Sequence, residues 1–214
     1  MNNKKIYITV IAILLLIIAF FAYNQFFKKN LPNTNYGDVG KVFKGDLIVG
    51  NDKAPVTIIE YYSYLCEYCK TFEDQTMSKL TEQYIVTGKA KLIFRPFPPY
   101  ELSQAVLCAN DQEKFLEYHN YLFANNDKIN SAETLKIFAQ NIGINSDQFN
   151  QCLDSEKYKS RAEELYNQGN SDFRKANIPA DKQGTPTFFI NGEAIIGAVP
   201  YADFVKVIES KLNN

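Results

Sequence analysis

Cys66 and Cys69 stand two residues apart in IIEYYSYLCEYCK, directly after an apolar run. Such a pair can supply half of a zinc site, close a structural staple or exchange disulfides with another molecule. Exchange makes particular demands on the surrounding chain. One sulfur must be held as a thiolate, because the thiolate is the nucleophile, and a second must lie close enough to displace whatever the first has bound. Two further features belong to this chemistry: Glu60, six residues before Cys66 in an otherwise apolar run, and Thr185-Pro186 in GTPTFFING.

The elements that position these residues can be read from the pattern. APVTIIEYY is a β-branched run, apolar on both alternating faces, as expected of a central strand covered on both sides. CEYCKTFEDQTMSKLTEQY then reads as a helix, which puts Cys66 at its N-terminus. There the unpaired backbone N–H groups and the dipole favour an anion and lower a cysteine pKa from about 8.5 toward neutrality or below. Cys69, one turn further in, is expected to be more covered, so Cys66 attacks or is attacked and Cys69 resolves. A carboxylate at Glu60 is costly in an apolar strand unless it has a partner or a task. Burial would raise its pKa and suit it to take the Cys69 proton. The other reading turns Glu60 to solvent at the strand's end. Pro186 belongs at the edge or start of a strand, because it has no donor for the ladder. A cis Thr185-Pro186 bond would turn the chain sharply and leave the Thr185 backbone free to pair with an extended substrate.

A second strand is expected at KAKLIFRPF, stopped by Pro96, Pro98 and Pro99, and parallel to the first through a right-handed crossover. Residues from Leu102 to about Asn170 read as helical. Ser131 caps AETLKIFAQNIG, Gly143 ends it, Ser146 caps DQFNQCL, and EKYKSRAEELYNQG closes at Gly169. Asn191-Gly192 between TPTFFI and EAIIGA signals a hairpin, since a type I′ turn needs positive φ at both positions. YADFVKVIESKL forms a terminal helix with Phe204, Val205, Ile208 and Leu212 on one stripe.

The N-terminus carries a separate signal. Residues 6–27 are nearly all apolar and uncharged. Twenty-odd helical residues span roughly 30 Å of hydrocarbon. A cleaved signal peptide is the competing reading, but its apolar stretch is usually shorter and ends at a small-residue site, which FFAYNQFFKK does not offer. The chain therefore divides into a cytoplasmic start at 1–5, a transmembrane anchor at 6–27 embedded in the lipid bilayer, a linker at 28–46 with little burial, and a folded domain at 47–214. Lys4-Lys5 and Lys28-Lys29 flank the span almost symmetrically, so charge alone barely orients it. Four cysteines without zinc spacing suit an oxidising compartment, which places the domain on the extracytoplasmic side of the cell membrane. The net charge of −1 over 214 residues argues against a nucleic-acid partner.

Cys108 and Cys152 fall on apolar faces of expected helices. In an oxidising compartment the pair is expected to form a structural disulfide; the alternative is two packed free thiols. His119, the only histidine, lies on an apolar stripe and reads as a satisfied, semi-buried side chain rather than a catalytic base. Tyr61, Tyr62, Tyr64 and Tyr68 surround the cysteines, either as an aromatic surface for unfolded substrates or as ordinary strand residues. Glu163-Glu164 reads as a solvated helix face.

Together EYYSYLCEYCK, CANDQEKFLEYHNYLF and GTPTFFING resemble the DsbA-like branch of the thiol-disulfide oxidoreductases, over about Leu47 to the C-terminus. The resemblance implies an α/β, thioredoxin-like fold with a helical insertion at about 101–170. It implies Cys66 as exposed nucleophile, Cys69 as resolving thiol, Pro186 as cis-proline and Glu60 as buried acid. It further implies activity outside the cytoplasmic membrane on exported proteins that contain cysteines, re-oxidation by a quinone-linked membrane partner, and no cofactor or metal. Glu67 and Tyr68 depart from the family's Pro and His between the cysteines. Neither brings a positive charge and Glu67 is negative, so a milder oxidant is expected. A reductase or isomerase using the same cysteines, a tethered holdase and a metal-binding module are the alternatives.

Overall fold

The computed structural model describes residues 39–213. The cytoplasmic start, the anchor at 6–27 and the linker as far as 38 lie outside the described residues. Among those described, no helix is long and apolar enough to cross a membrane.

Five strands form one sheet: β1 (Leu47–Gly50), β2 (Val56–Tyr62), β3 (Ala90–Pro96), β4 (Thr187–Ile190) and β5 (Glu193–Ile196), in the spatial order β1-β3-β2-β4-β5. β2 pairs parallel with β3 and antiparallel with β4, so it is central, and all its residues but Thr57 are buried. Its alternation divides the core. Ile58 and Tyr62 join the cluster containing Phe72, Phe94, Phe188 and Phe204, while Ile59 and Tyr61 join Phe97, Phe173 and Phe189 in a second cluster. Between β2 and β3 runs a helical stretch, α1 (67–85), which opens as an α-helix at Glu67–Phe72 and includes two π-helical segments, Glu73–Met77 and Thr81–Ile85.

The insertion comprises α2 (Tyr100–Asn110), α3 (Phe115–Ala124), α4 (Ala132–Asn141), α5 (Ser146–Asp154) and α6 (Lys159–Lys175). Ser131 caps α4 by accepting from the Thr134 N–H, and Gly143 follows with a φ of +76°. The β4–β5 turn holds Asn191 and Gly192 at positive φ. The closing helix α7 (Tyr201–Leu212) buries Phe204 and Ile208.

The structure departs from the sequence reading in four places. α5 is capped by Asn145, which accepts from the Gln148 N–H, one residue before the expected Ser146. α6 does not stop at Gly169 but runs on to Lys175. Gly169 is there for space: a Cβ would overlap the Phe97 ring and lie 3.0 Å from Tyr61. β1 is an edge strand of four residues with only Leu47 buried, too short to show a pattern.

The fourth departure concerns the stretch read as linker, which is packed from Val39 onward. Val39 is buried, and the side chain of Asp46 is fully covered. The cause lies in β3. Arg95, fully buried, reaches Asp46 Oδ2 at 2.8 Å and Asp46 Oδ1 at 3.1 Å, and donates to the Lys41 carbonyl. It also donates to the Tyr61 hydroxyl at 2.7 Å, which in turn donates to Asp172 on α6. A buried guanidinium needs these acceptors, so the upstream chain is folded around it.

Candidate active site

β2 ends at Tyr62, and Cys66 is the N-cap of α1, in extended conformation. Its Sγ accepts from the Cys69 N–H at 3.4 Å. The same sulfur donates to the Thr185 carbonyl oxygen at 3.2 Å. Cys66 is half-buried, and its pKa is lowered from 9.0 to about 5. The main cause is a hydrogen bond from the Cys69 thiol, opposed by burial and aided by Thr185 and by the backbone N–H groups of Cys69 and Tyr68. Glu67 and Tyr68 are both exposed, Tyr68 at 69%, so water screens the Glu67 charge and hydrogen bonds govern the sulfur.

Cys69 is fully buried one turn along, its Sγ receiving the Ser63 N–H at 3.5 Å. Burial, together with the neighbouring Cys66 sulfur, pushes its thiol far up. Glu60 points to no solvent. It is fully buried between Phe94 of β3 and Phe188 of β4 in the register, and neither carboxyl oxygen has a hydrogen-bond partner. Burial raises its pKa well above the ordinary carboxyl value, with further contributions from Glu73 and Cys66.

The Thr185-Pro186 bond is cis, and the Pro186 carbonyl accepts from Gly197. β4 is an interior strand, so the backbone open to a partner is the segment ahead of it, around Thr185, rather than the strand itself. Pro98-Pro99 is also cis, and the Pro98 carbonyl accepts from Ser63 Oγ at 2.8 Å. Leu65, Phe97, Pro98, Pro99 and Tyr166 line a cleft of about 370 Å³ together with Cys66 and Thr185. The sequence reading did not single out Leu65, Pro98-Pro99 or Tyr166 as site residues. The signal was a leucine, 51% exposed, immediately before Cys66.

The surrounding tyrosines do not form a surface: Tyr61, Tyr62 and Tyr64 are buried, and only Tyr68 faces water. His119 is buried too, with a polar partner at each ring nitrogen. Cys108 on α2 and Cys152 on α5 form a disulfide of Cα–Cα 5.8 Å, and neither joins Cys66 and Cys69. Among the described residues no cluster of three or more His, Cys, Asp or Glu could hold a metal ion.

This fold and this pair of sulfurs define a thioredoxin-fold protein with a Cys-x-x-Cys motif at a helix N-terminus. The thioredoxin family profile matches residues 43–210. A Rickettsia felis protein with the provisional name protein-disulfide oxidoreductase is 32% identical over 160 residues, 71% of this chain and 55% of that one. The Bacillus subtilis disulfide bond formation protein D is 26% identical over 185 residues, 79% of this chain and 78% of the relative. The chain thus spans little more than half the length of the rickettsial relatives it matches. Among solved structures, Wolbachia pipientis alpha-DsbA1 superposes with a TM-score of 0.70 at 25% identity, over 85% of this chain and 96% of that one. Oxidised BdbD from Bacillus subtilis gives 0.71 at 24% identity, over 82% and 97%. The chain belongs to the thioredoxin family, in its DsbA-like branch.

Proposed function

We propose that this protein is a thiol-disulfide oxidoreductase that introduces disulfides into exported proteins. The observation that carries the reading is the Cys66 sulfur, capped by the Cys69 N–H, within 3.2 Å of the Thr185 carbonyl oxygen and favoured as a thiolate at pH above about 5. The names of the rickettsial and Bacillus relatives support it.

In the oxidising direction a substrate thiolate attacks Cys66 of the Cys66–Cys69 disulfide. That bond breaks, its electron pair goes to the Cys69 sulfur, and Glu60 delivers the proton that a buried thiolate cannot do without. The substrate's second thiolate then attacks the substrate sulfur of the mixed disulfide. Cys66 leaves as the stabilised thiolate, and a low-pKa thiol is the better leaving group. The substrate has lost two electrons and the cysteine pair holds them. A quinone-linked membrane partner that brings its own disulfide reverses these steps and restores the enzyme. The backbone of Thr185, beside the Cys66 sulfur, is the pairing edge for substrate, and the cleft between Pro98-Pro99 and Tyr166 receives side chains beside its cysteine.

Residues 6–27 anchor the domain on the extracytoplasmic face of the cell membrane, a reading supported by their nearly all-apolar, uncharged run. Deleting them should release the domain from the membrane fraction; unchanged retention there would refute the anchor.

The central test replaces Cys69 with serine in cells. Mixed disulfides on Cys66 with exported proteins are the expected result, and a trapped membrane redox protein would name the re-oxidising partner. Capture of nothing at all would overturn the reading in favour of a tethered holdase. A reduction potential below that of C-P-H-C oxidases is expected, since Glu67-Tyr68 supplies no positive charge; a potential equal to theirs would refute the milder character.

A further inference from the structure

We infer that Tyr62, Tyr64, His119 and Glu73 form a hydrogen-bonded proton path that connects the sealed interior around Glu60 with solvent. The path serves the exchange proposed above and rests on that reading.

Four groups lie in line. The Tyr62 and Tyr64 hydroxyls are 2.9 Å apart, Tyr64 Oη is 2.9 Å from His119 Nδ1, and His119 Nε2 is 3.1 Å from Glu73 Oε1. Their direction follows from what each atom can do. An ionised carboxylate only accepts, so Nε2 carries the ring proton. The Nδ1 of a singly protonated ring then accepts from Tyr64, whose oxygen accepts from Tyr62. Every donor therefore points away from the inner end.

The two ends differ in exposure. Tyr62 is fully buried on the same face of β2 as Glu60, two residues along. Glu73 keeps 10% of its side-chain exposure, and with His119, Met77, Glu82, Leu116 and Asn120 it borders a groove of about 480 Å³. The rings of Tyr62, Tyr64, Phe94, Phe115 and Phe123 surround His119, so the groups that can titrate around it are Tyr62 and Tyr64 from the β2–α1 region and Glu73 from α1, with Glu82 at the groove rim.

The chemistry needs such a path. Glu60 must hold a proton when the Cys66–Cys69 bond opens and must be empty when Cys69 gives its proton up, yet it has no solvent contact and no partner. Neither Glu60 oxygen touches the Tyr62 hydroxyl, so a proton leaving Glu60 crosses through a bridging water to enter at the Tyr62 oxygen. It displaces the hydroxyl proton to Tyr64, the next to Nδ1, and the Nε2 proton to Glu73, which discharges into the groove. Each group ends with as many protons as it began, and no electrons move.

The test uses the reduced full chain carrying thionitrobenzoate on Cys66 and times its release by Cys69. Tyr64→Phe removes one oxygen and keeps the ring. It should slow release about tenfold or more, the range in which loss of proton transfer shows. Release in mixtures of light and heavy water should give a curved proton inventory in the parent and a straight one in the variant, while alkylation of Cys66 keeps its rate and pH midpoint. Glu73→Gln should act in the same direction. Release within about twofold of the parent in folded Tyr64→Phe would overturn the path. So would a parallel fall in release and alkylation, which marks general damage. Absence of release in the parent would instead overturn the functional reading beneath it.

Discussion

The Cys66 sulfur lies 3.2 Å from the carbonyl oxygen of Thr185, a residue 119 positions later in the chain. The fold thus delivers the N-terminus of α1 and the backbone ahead of β4 to one point. A protonated Cys66 donates to that oxygen; an ionised one keeps the donors from Cys69 and the helix N-terminus.

Thiolate absorbance and alkylation rate should both titrate with a midpoint near the value of about 5 toward which Cys66 is lowered. The folded value is depressed relative to the free thiol, so the stabilisation of the reduced protein is complete above the unfolded thiol's pKa. It is lost as pH falls toward 5. Cys69→Ala removes the largest contribution and should move the midpoint up. A midpoint that stays near 8.5, that of an ordinary thiol, would contradict the geometry.

Glu60→Leu should stabilise the protein at neutral pH by about 1–3 kcal/mol, the cost of a buried polar group without a partner. Glu60 has a raised folded pKa, so the parent loses stability as pH rises through it and the leucine variant does not. Denaturant melts from pH 5 to 9 should show the gap widening with pH. The same variant should slow disulfide closure by about a hundredfold for want of a proton acceptor. A pH-independent gap would remove the case for a neutral, buried acid.

Arg95→Leu leaves buried Asp172 without its cation and Asp46 with only Arg161, 3.4 Å away, and should cost about 3–5 kcal/mol. Limited proteolysis should find the stretch from Val39 to Asp46 newly susceptible, because Arg95 is what holds it. Unchanged protection of that stretch would mean that Val39 and the apolar contacts fix it alone.

Removing the Cys108–Cys152 disulfide by Cys108→Ala with Cys152→Ala should lower stability by about 4 kcal/mol on the chain-entropy account of its 44-residue separation. The Cys66 titration should be unaltered. A shift in that titration would mean that the two sulfur pairs communicate.

Gly169→Ala should destabilise by about 1–3 kcal/mol through overpacking against Phe97. Phe97 precedes Pro98-Pro99 and lines the cleft at Cys66, so weaker peptide binding should accompany the loss. A neutral substitution would show that the Phe97 ring has room to retreat.

Much of this was legible beforehand because it depends on short-range rules. A β-branched run followed by a helical pattern puts Cys66 at a helix mouth. Asn191-Gly192 makes a hairpin wherever it falls between apolar runs. A proline directly before a strand is tolerated for want of a donor. The misreadings share a cause. Gly169 has the composition of a stop signal, but its role is set by an aromatic ring arriving from beyond β3. Asp46 looks like a linker residue until the buried Arg95 is seen to need it as an acceptor. The pattern left Tyr61, Tyr62 and Tyr64 open as a surface or as ordinary strand residues, and only their burial in the fold decides for the second.

The sequence by itself determined which atoms could do the chemistry: two sulfurs at helical spacing, an acid six residues before them, and a proline that the ladder admits only at its start. These follow from covalent structure and local backbone preference. Only the tertiary structure decided that Thr185 meets Cys66, that Glu60 is left without a partner, and that Tyr62, Tyr64, His119 and Glu73 fall into line. Apart from the Tyr62–Tyr64 step, the contacts among them join residues dozens of positions apart, and they exist because covering both faces of one sheet excludes water, which pairs most buried polar groups with one another and leaves Glu60 with none.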